Sequence, residues 1–163
     1  MDTREHLTNG TASFRYVRGR GVVPDVLVEP SRPQTDHRLR INVVFTDLST
    51  TETALRRAAE LAIDLGAETR ILVPHVVPYP LPLECPAVPL EFTCRRLTTL
   101  AESAGADPCV DIYLCRDAIE LLVQVLPPTS IVVLHARTRF GFPTTATRIV
   151  RALRKVGCSV IVV

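Results

Sequence analysis

The stretch SIVVLHARTRFGFPTTATRIVRALRKVGCSVIVV, Ser130 to Val163, is the one whose reading decides the fold. Ile131-Val132-Val133-Leu134 is a short, fully apolar, β-branched run, as expected of a strand buried on both faces. A polar loop follows. Thr147 to Val156 then places Ile149, Leu153 and Val156 on one helical face, and Gly157 is set to stop the helix. Ser159 to Val163 is a second apolar run. Strand, loop, helix, strand is the repeating unit of a parallel sheet, in which ligands sit in the loops at the carboxyl ends of the strands.

Working upstream, the same unit recurs. Ile41 to Phe45 reads as a strand, and Ser49 with Glu52 has the spacing of a capping box for the helix after it. Leu55, Ala58, Ala59, Ala62 and Leu65 form that helix's apolar face, ended by Gly66. Thr69 to Val77 is the next strand. Six of the thirteen prolines fall in 74–89, a stiff extended connection to a helix over about Leu90–Ala104. Val110, Ile112 and Leu114 alternate as a strand, and Asp117 with Glu120 opens a short helix that Pro127-Pro128 must end. The pattern predicts an α/β domain over 40–163: a doubly wound, five-stranded parallel sheet with helices on both faces, for which right-handed crossovers leave few topologies. Residues 1–39 are polar and Gly/Pro-punctuated, and read as a mostly irregular N-terminal arm. Within it Phe14–Arg18 and Val26–Val28 are short strand candidates, with Gly19-Arg20-Gly21 placed to turn the chain between them.

The formal net charge of +2 points to no strongly charged partner, but its distribution is uneven. Ser130–Val163 holds six basic residues (Arg137, Arg139, Arg148, Arg151, Arg154, Lys155) and no acid. Without interleaved aromatics this reads as a solvated helix face, and nucleic acid is not the expected partner. Five cysteines, odd in number and without a C-x-x-C pair, suit a reducing compartment. The N-terminus has no apolar leader-like region and no run approaches membrane-spanning length, so a cytoplasmic protein without a membrane partner is expected.

Three stretches resemble the universal stress protein family, and the resemblance implies its adenine nucleotide alpha hydrolase-like fold with strand order 3-2-1-4-5. Val43-Val44-Phe45-Thr46-Asp47-Leu48-Ser49 is similar to the family's strand-Asp-x-Ser opening. Ile71 to Val77 is similar to its strand ending in Leu-His-Val, with Pro74 intruding. Gly157-Cys158 before Val160-Ile161-Val162-Val163 is similar to its closing strand. The resemblance implies ATP held by a first-strand Asp, a second-strand backbone group and a loop of the form Gly-x-x-Gly-x9-Gly-Ser/Thr. Thr46, Asp47 and Val76 fall on the first two parts. The loop departs from the pattern: Leu134, Arg137 and Ala146 stand near the glycine positions, the spacing is one residue short, and only Thr147 keeps the hydroxyl. Glycines there let backbone N–H groups approach phosphate, so their loss argues against the family's manner of binding. The resemblance therefore implies a dimeric regulatory or interaction protein without catalysis or cofactor, pairing through Val160, Ile161, Val162 and Val163 and acting on an unknown protein partner. The alternative is an ATP-binding protein with slow hydrolysis, using Asp47, Arg137 and Thr147. The Pro-rich segment 78–89 offers a further interaction surface.

Other constellations are weaker. Asp47, His75 and His135 end predicted strands and are able to converge as a metal site, but without ligand spacing hydrogen-bonded rim residues are the plainer reading. Cys115, Asp117 and His135 form a conceivable nucleophile set with no local signature. No P-loop and no G-x-G-x-x-G is present.

Overall fold

The computed structural model describes residues 8–9, 12–17, 39–83, 88, 90–106, 108–136 and 144–163. Two strands, β1 (Thr8–Asn9) and β2 (Ala12–Val17), precede the alternating unit. Then come β3 (Arg40–Val44), α1 (Leu48–Leu65), β4 (Glu68–Val76), α2 (Leu90–Ala104), β5 (Cys109–Cys115), α3 (Ala118–Val125), β6 (Ile131–Leu134), α4 (Thr145–Lys155) and β7 (Ser159–Val162).

The sheet order is β1-β2-β5-β4-β3-β6-β7, and its last five strands are parallel in the 3-2-1-4-5 arrangement expected. Right-handed crossovers place helices by direction of travel. Chain moving from β3 outward to β5 lays α1 and α2 on one face. Chain returning through β6 to β7 lays α3 and α4 on the other. Side-chain alternation then makes two cores. Ile41, Val43, Ile71, Val73, Val110 and Ile112 pack with Leu55, Ala58 and Leu97 on the first face. Val44, Leu72, Val132 and Leu134 pack with Leu122, Ile149 and Leu153 on the second. Each fully buried leucine contributes roughly 2 kcal/mol of transfer free energy.

Among the strand residues that break the apolar pattern, Asn42 and Pro74 are accommodated as follows. Asn42, buried in β3, donates from Nδ2 to the Ile131 carbonyl at 3.1 Å. Pro74 lies in β4 beyond the last β3 partner pair, Val44↔Leu72, so on that side its nitrogen costs no ladder bond.

Two sequence expectations need correction. α1 begins at Leu48, not at a Ser49 cap, because Asp47 itself caps it. α4 begins at Thr145, so Thr147 is inside its first turn and Thr144 is the cap. The strand candidate Phe14–Arg18 overlaps β2, which pairs in parallel with β5. Gly19-Arg20-Gly21 and Val26–Val28 lie outside the described residues.

Candidate functional site

The carboxyl rim of the sheet is where a ligand of this fold would sit, and it is built from three strand exits. At the first, β3 runs into α1 through Phe45, Thr46 and Asp47. Asp47 has extended backbone (φ −152°), as an N-cap requires. Its Oδ1 accepts from the Thr50 N–H at 3.0 Å and from the Ser49 hydroxyl at 3.0 Å, while Oδ2 accepts from the Thr50 hydroxyl. The Thr46 N–H donates to Thr51 Oγ1 at 3.2 Å, and the Thr46 and Thr50 hydroxyls bond each other at 3.0 Å. Burial alone would raise the Asp47 carboxyl, but the hydrogen bonds from Thr50 and Ser49 outweigh it and hold it below its ordinary value. Both carboxylate oxygens are already engaged within the helix start.

At the second exit, Val76 ends β4 and its side chain is exposed, while the Val77 N–H donates to the Cys115 carbonyl at 2.9 Å. The Pro-rich connection begins as a tight turn, with the Leu81 N–H donating to the Pro78 carbonyl at 3.1 Å. Arg116 clamps this turn. Its Nη1 donates to Val77 O at 2.7 Å and its Nη2 to Leu81 O at 2.8 Å, with the guanidinium 4.2 Å from the Tyr79 ring centre. Tyr79 is 77% exposed, so the Pro-rich segment begins on the surface. Nothing in the sequence marked Arg116, which follows a strand that its neighbours alone define.

At the third exit, β6 leads to His135 and Ala136. His135 Nδ1 is buried and has no hydrogen-bond partner among the described residues. Arg137 lies outside them. Across the loop, Thr144 Oγ1 accepts from the Thr147 N–H at 3.3 Å, and the two hydroxyls are 3.1 Å apart. Thr147 is thus a first-turn residue bonded to its own cap. Ala146, near a family glycine position, is buried.

The strand exits, their order and the five-stranded core match a known architecture. The fold is that of the universal stress proteins. The structure aligns with a universal stress protein from Archaeoglobus fulgidus at 15% identity and TM-score 0.52, covering 76% of this chain and 92% of that one. It also matches a universal stress protein solved in complex with cAMP, at 18% identity and TM-score 0.49, covering 77% of this chain and 96% of that one. No family model matches the sequence, and no curated protein matches it.

Within this universal-stress-protein-like fold the other constellations come apart. Among the described residues, no three His, Cys, Asp or Glu side chains gather to hold a metal ion. Burial pushes the His75 imidazole below its usual value. Cys115 packs with Leu72 and Tyr113, whereas His135 follows β6 on the parity of Ile131 and Val133, the opposite face. Burial, with Asp117 adding to it, pushes the Cys115 thiol up to about 11, which disfavours the thiolate form. No helix among the described residues is long and apolar enough to cross a membrane.

Two further features, beside the Arg116 clamp, were not legible in the sequence. A groove of about 500 Å³ flanks α1, lined by Glu52, Thr53, Arg56, Arg57, Glu60 and Val163. Its charges pair along the helix, Arg56 with Glu52 at 2.7 Å and Arg57 with Glu60 at 2.8 Å. On the second face, Arg70 bonds the Asp111 carboxylate and reaches Tyr113 Oη at 2.7 Å. Burial works against the Arg70 charge, but Asp111 and Tyr113 outweigh it and raise the guanidinium above its ordinary value. Asp111 is 1% exposed.

Proposed function

We propose that this chain is a universal-stress-protein-like regulatory protein, which acts through partners and not through catalysis and does not hold ATP by the family's glycine loop. The observation that carries this reading is the state of Asp47. Its Oδ1 accepts from the Ser49 hydroxyl and the Thr50 N–H and its Oδ2 from the Thr50 hydroxyl, so a nucleotide would have to share this carboxylate with the cap of α1. The rim supports the same reading, since Thr46 and Thr147 spend their hydroxyls on neighbouring threonines. The reading includes a homodimer through the exposed edge of β7 (Val160, Ile161, Val162 and Val163), which carries no charge or proline to discourage pairing. It also places the protein in the cytoplasm, for which five cysteines, odd in number and without a C-x-x-C pair, are suited.

The test is thermal unfolding with and without millimolar Mg-ATP, with ADP, AMP and cAMP as further arms. A ligand at a hundred times its dissociation constant adds about 2.7 kcal/mol, or several degrees for a domain of this size. The expected result is no shift with any of the four. A clear rise with ATP that disappears in Asp47→Ala would overturn the proposal and restore slow ATP hydrolysis through Asp47, Arg137 and Thr147.

A further inference from the structure

β5 lies where the universal-stress-protein-like core ends, yet it is buried as an interior strand is. Every residue from Val110 to Cys115 is buried, while no residue of β7 at the other end is more than half-buried. The outward N–H and C=O groups of such a strand need a partner. β2 is that partner, parallel to β5 with Ser13 opposite Cys109 and Val17 opposite Tyr113. Among the described residues only β1, two residues long and antiparallel, lies beyond it, and an edge this short offers little for further pairing.

The route by which β2 arrives is loosely specified. In the chain it precedes β3, but in the sheet β5 and β4 stand between them. Three strand steps are roughly 14 Å, and the return along parallel strands is roughly 17 Å, so the ends to be joined are about 22 Å apart. Residues 18–39 extend to about 70 Å. A link with this much slack does not determine whose β5 the strand joins. We propose that the outer edge of β5 is a strand-docking site, filled by the chain's own Ala12–Val17 and open to the same strand of a second copy. The tether holds the resident strand at an effective concentration on the order of millimolar, so exchange is suppressed until that strand is disabled or its tether shortened. This goes beyond the β7 dimer, because it names a second, independent edge.

The experiment uses the full-length chain carrying Val162→Lys, so that pairing through β7 does not contribute. Arg15→Pro and Tyr16→Pro are made separately in that background, because a parallel ladder uses alternate N–H groups and adjacent prolines cover both phases. A fluorescent peptide spanning residues 6–18 is then titrated and its anisotropy followed. At least one proline variant should bind it saturably at micromolar concentration, while the chain with an intact β2 binds at least tenfold more weakly. Absence of saturable binding to both folded variants up to millimolar peptide overturns the proposal. Deleting residues 20–37 is the second arm, which leaves four linking residues able to span only about 14 Å. That chain should run at twice the monomer mass by light scattering with its β5 amides protected from exchange. A folded monomer would overturn the proposal as well. Both arms are independent of nucleotide binding and of the β7 contact, so the function proposed above stands or falls separately.

Discussion

At the scale of single residues, Asp47 shows how one carboxylate can be claimed by two roles. The sequence placed it after a strand, where the family resemblance implies ligand contact, and offered Ser49 with Glu52 as the helix cap. The chain leaves β3 with Asp47 in extended backbone one residue before α1, so Asp47 reaches the Thr50 N–H first. Asp47→Ala should therefore cost about 1 kcal/mol, the ordinary value of an N-cap, whether or not nucleotide is present. Calorimetry also reads the pH dependence. The folded-state carboxyl titrates below its ordinary 3.8, so its contribution is complete above that value and is lost as pH falls through the lower folded value. Parent and Asp47→Ala should then differ at neutral pH and converge in acid. A difference that persists unchanged well below pH 3.8 would mean that the cap is not the source.

At the scale of elements, β7 was read from the sequence as an apolar terminal strand, and among the described residues it has a single neighbour, β6. Its burial runs exposed, half-buried, half-buried, exposed, and Val162 is 42% exposed. If copies pair there, Val162→Lys should convert a dimer to a monomer in sedimentation with little change in melting temperature, because a lysine on an open edge resists pairing without disturbing the core. A chain that is monomeric before the substitution would remove β7 as a dimer contact. Ala12–Val17 is the contrasting case. Its alternation was visible, but alternation says only that a strand is possible. Whether it pairs depends on an edge formed by residues about a hundred positions later, Cys109 to Tyr113.

At the scale of the whole molecule, Arg70 and Asp111 sit in separate strand runs, each looking like an isolated charge in an apolar stretch. The parallel register of β4 and β5 sets Arg70 against Cys109 and Leu72 against Asp111, which brings the two side chains together on one face. Removing one partner of such a pair leaves a charge in a poorly solvated site. Asp111→Ala is expected to destabilise by about 3 kcal/mol, while the double change Arg70→Met with Asp111→Leu should recover most of that loss in denaturant melts. Equal costs for the single and double variants would show that the pair is not the unit that matters. The same contrast separates what the sequence determined from what it did not. Periodicity, glycine stops and the order of strands and helices are local or nearest-neighbour properties, and they were enough to fix the parallel core and its two helical layers, while the family resemblance supplied the strand order. The cap at Asp47, the closing of the β5 edge, the Arg116 clamp and the Arg70–Asp111 pair were decided only by the tertiary structure. Each depends on register or on which groups meet across the sheet, and no spacing along the chain encodes that.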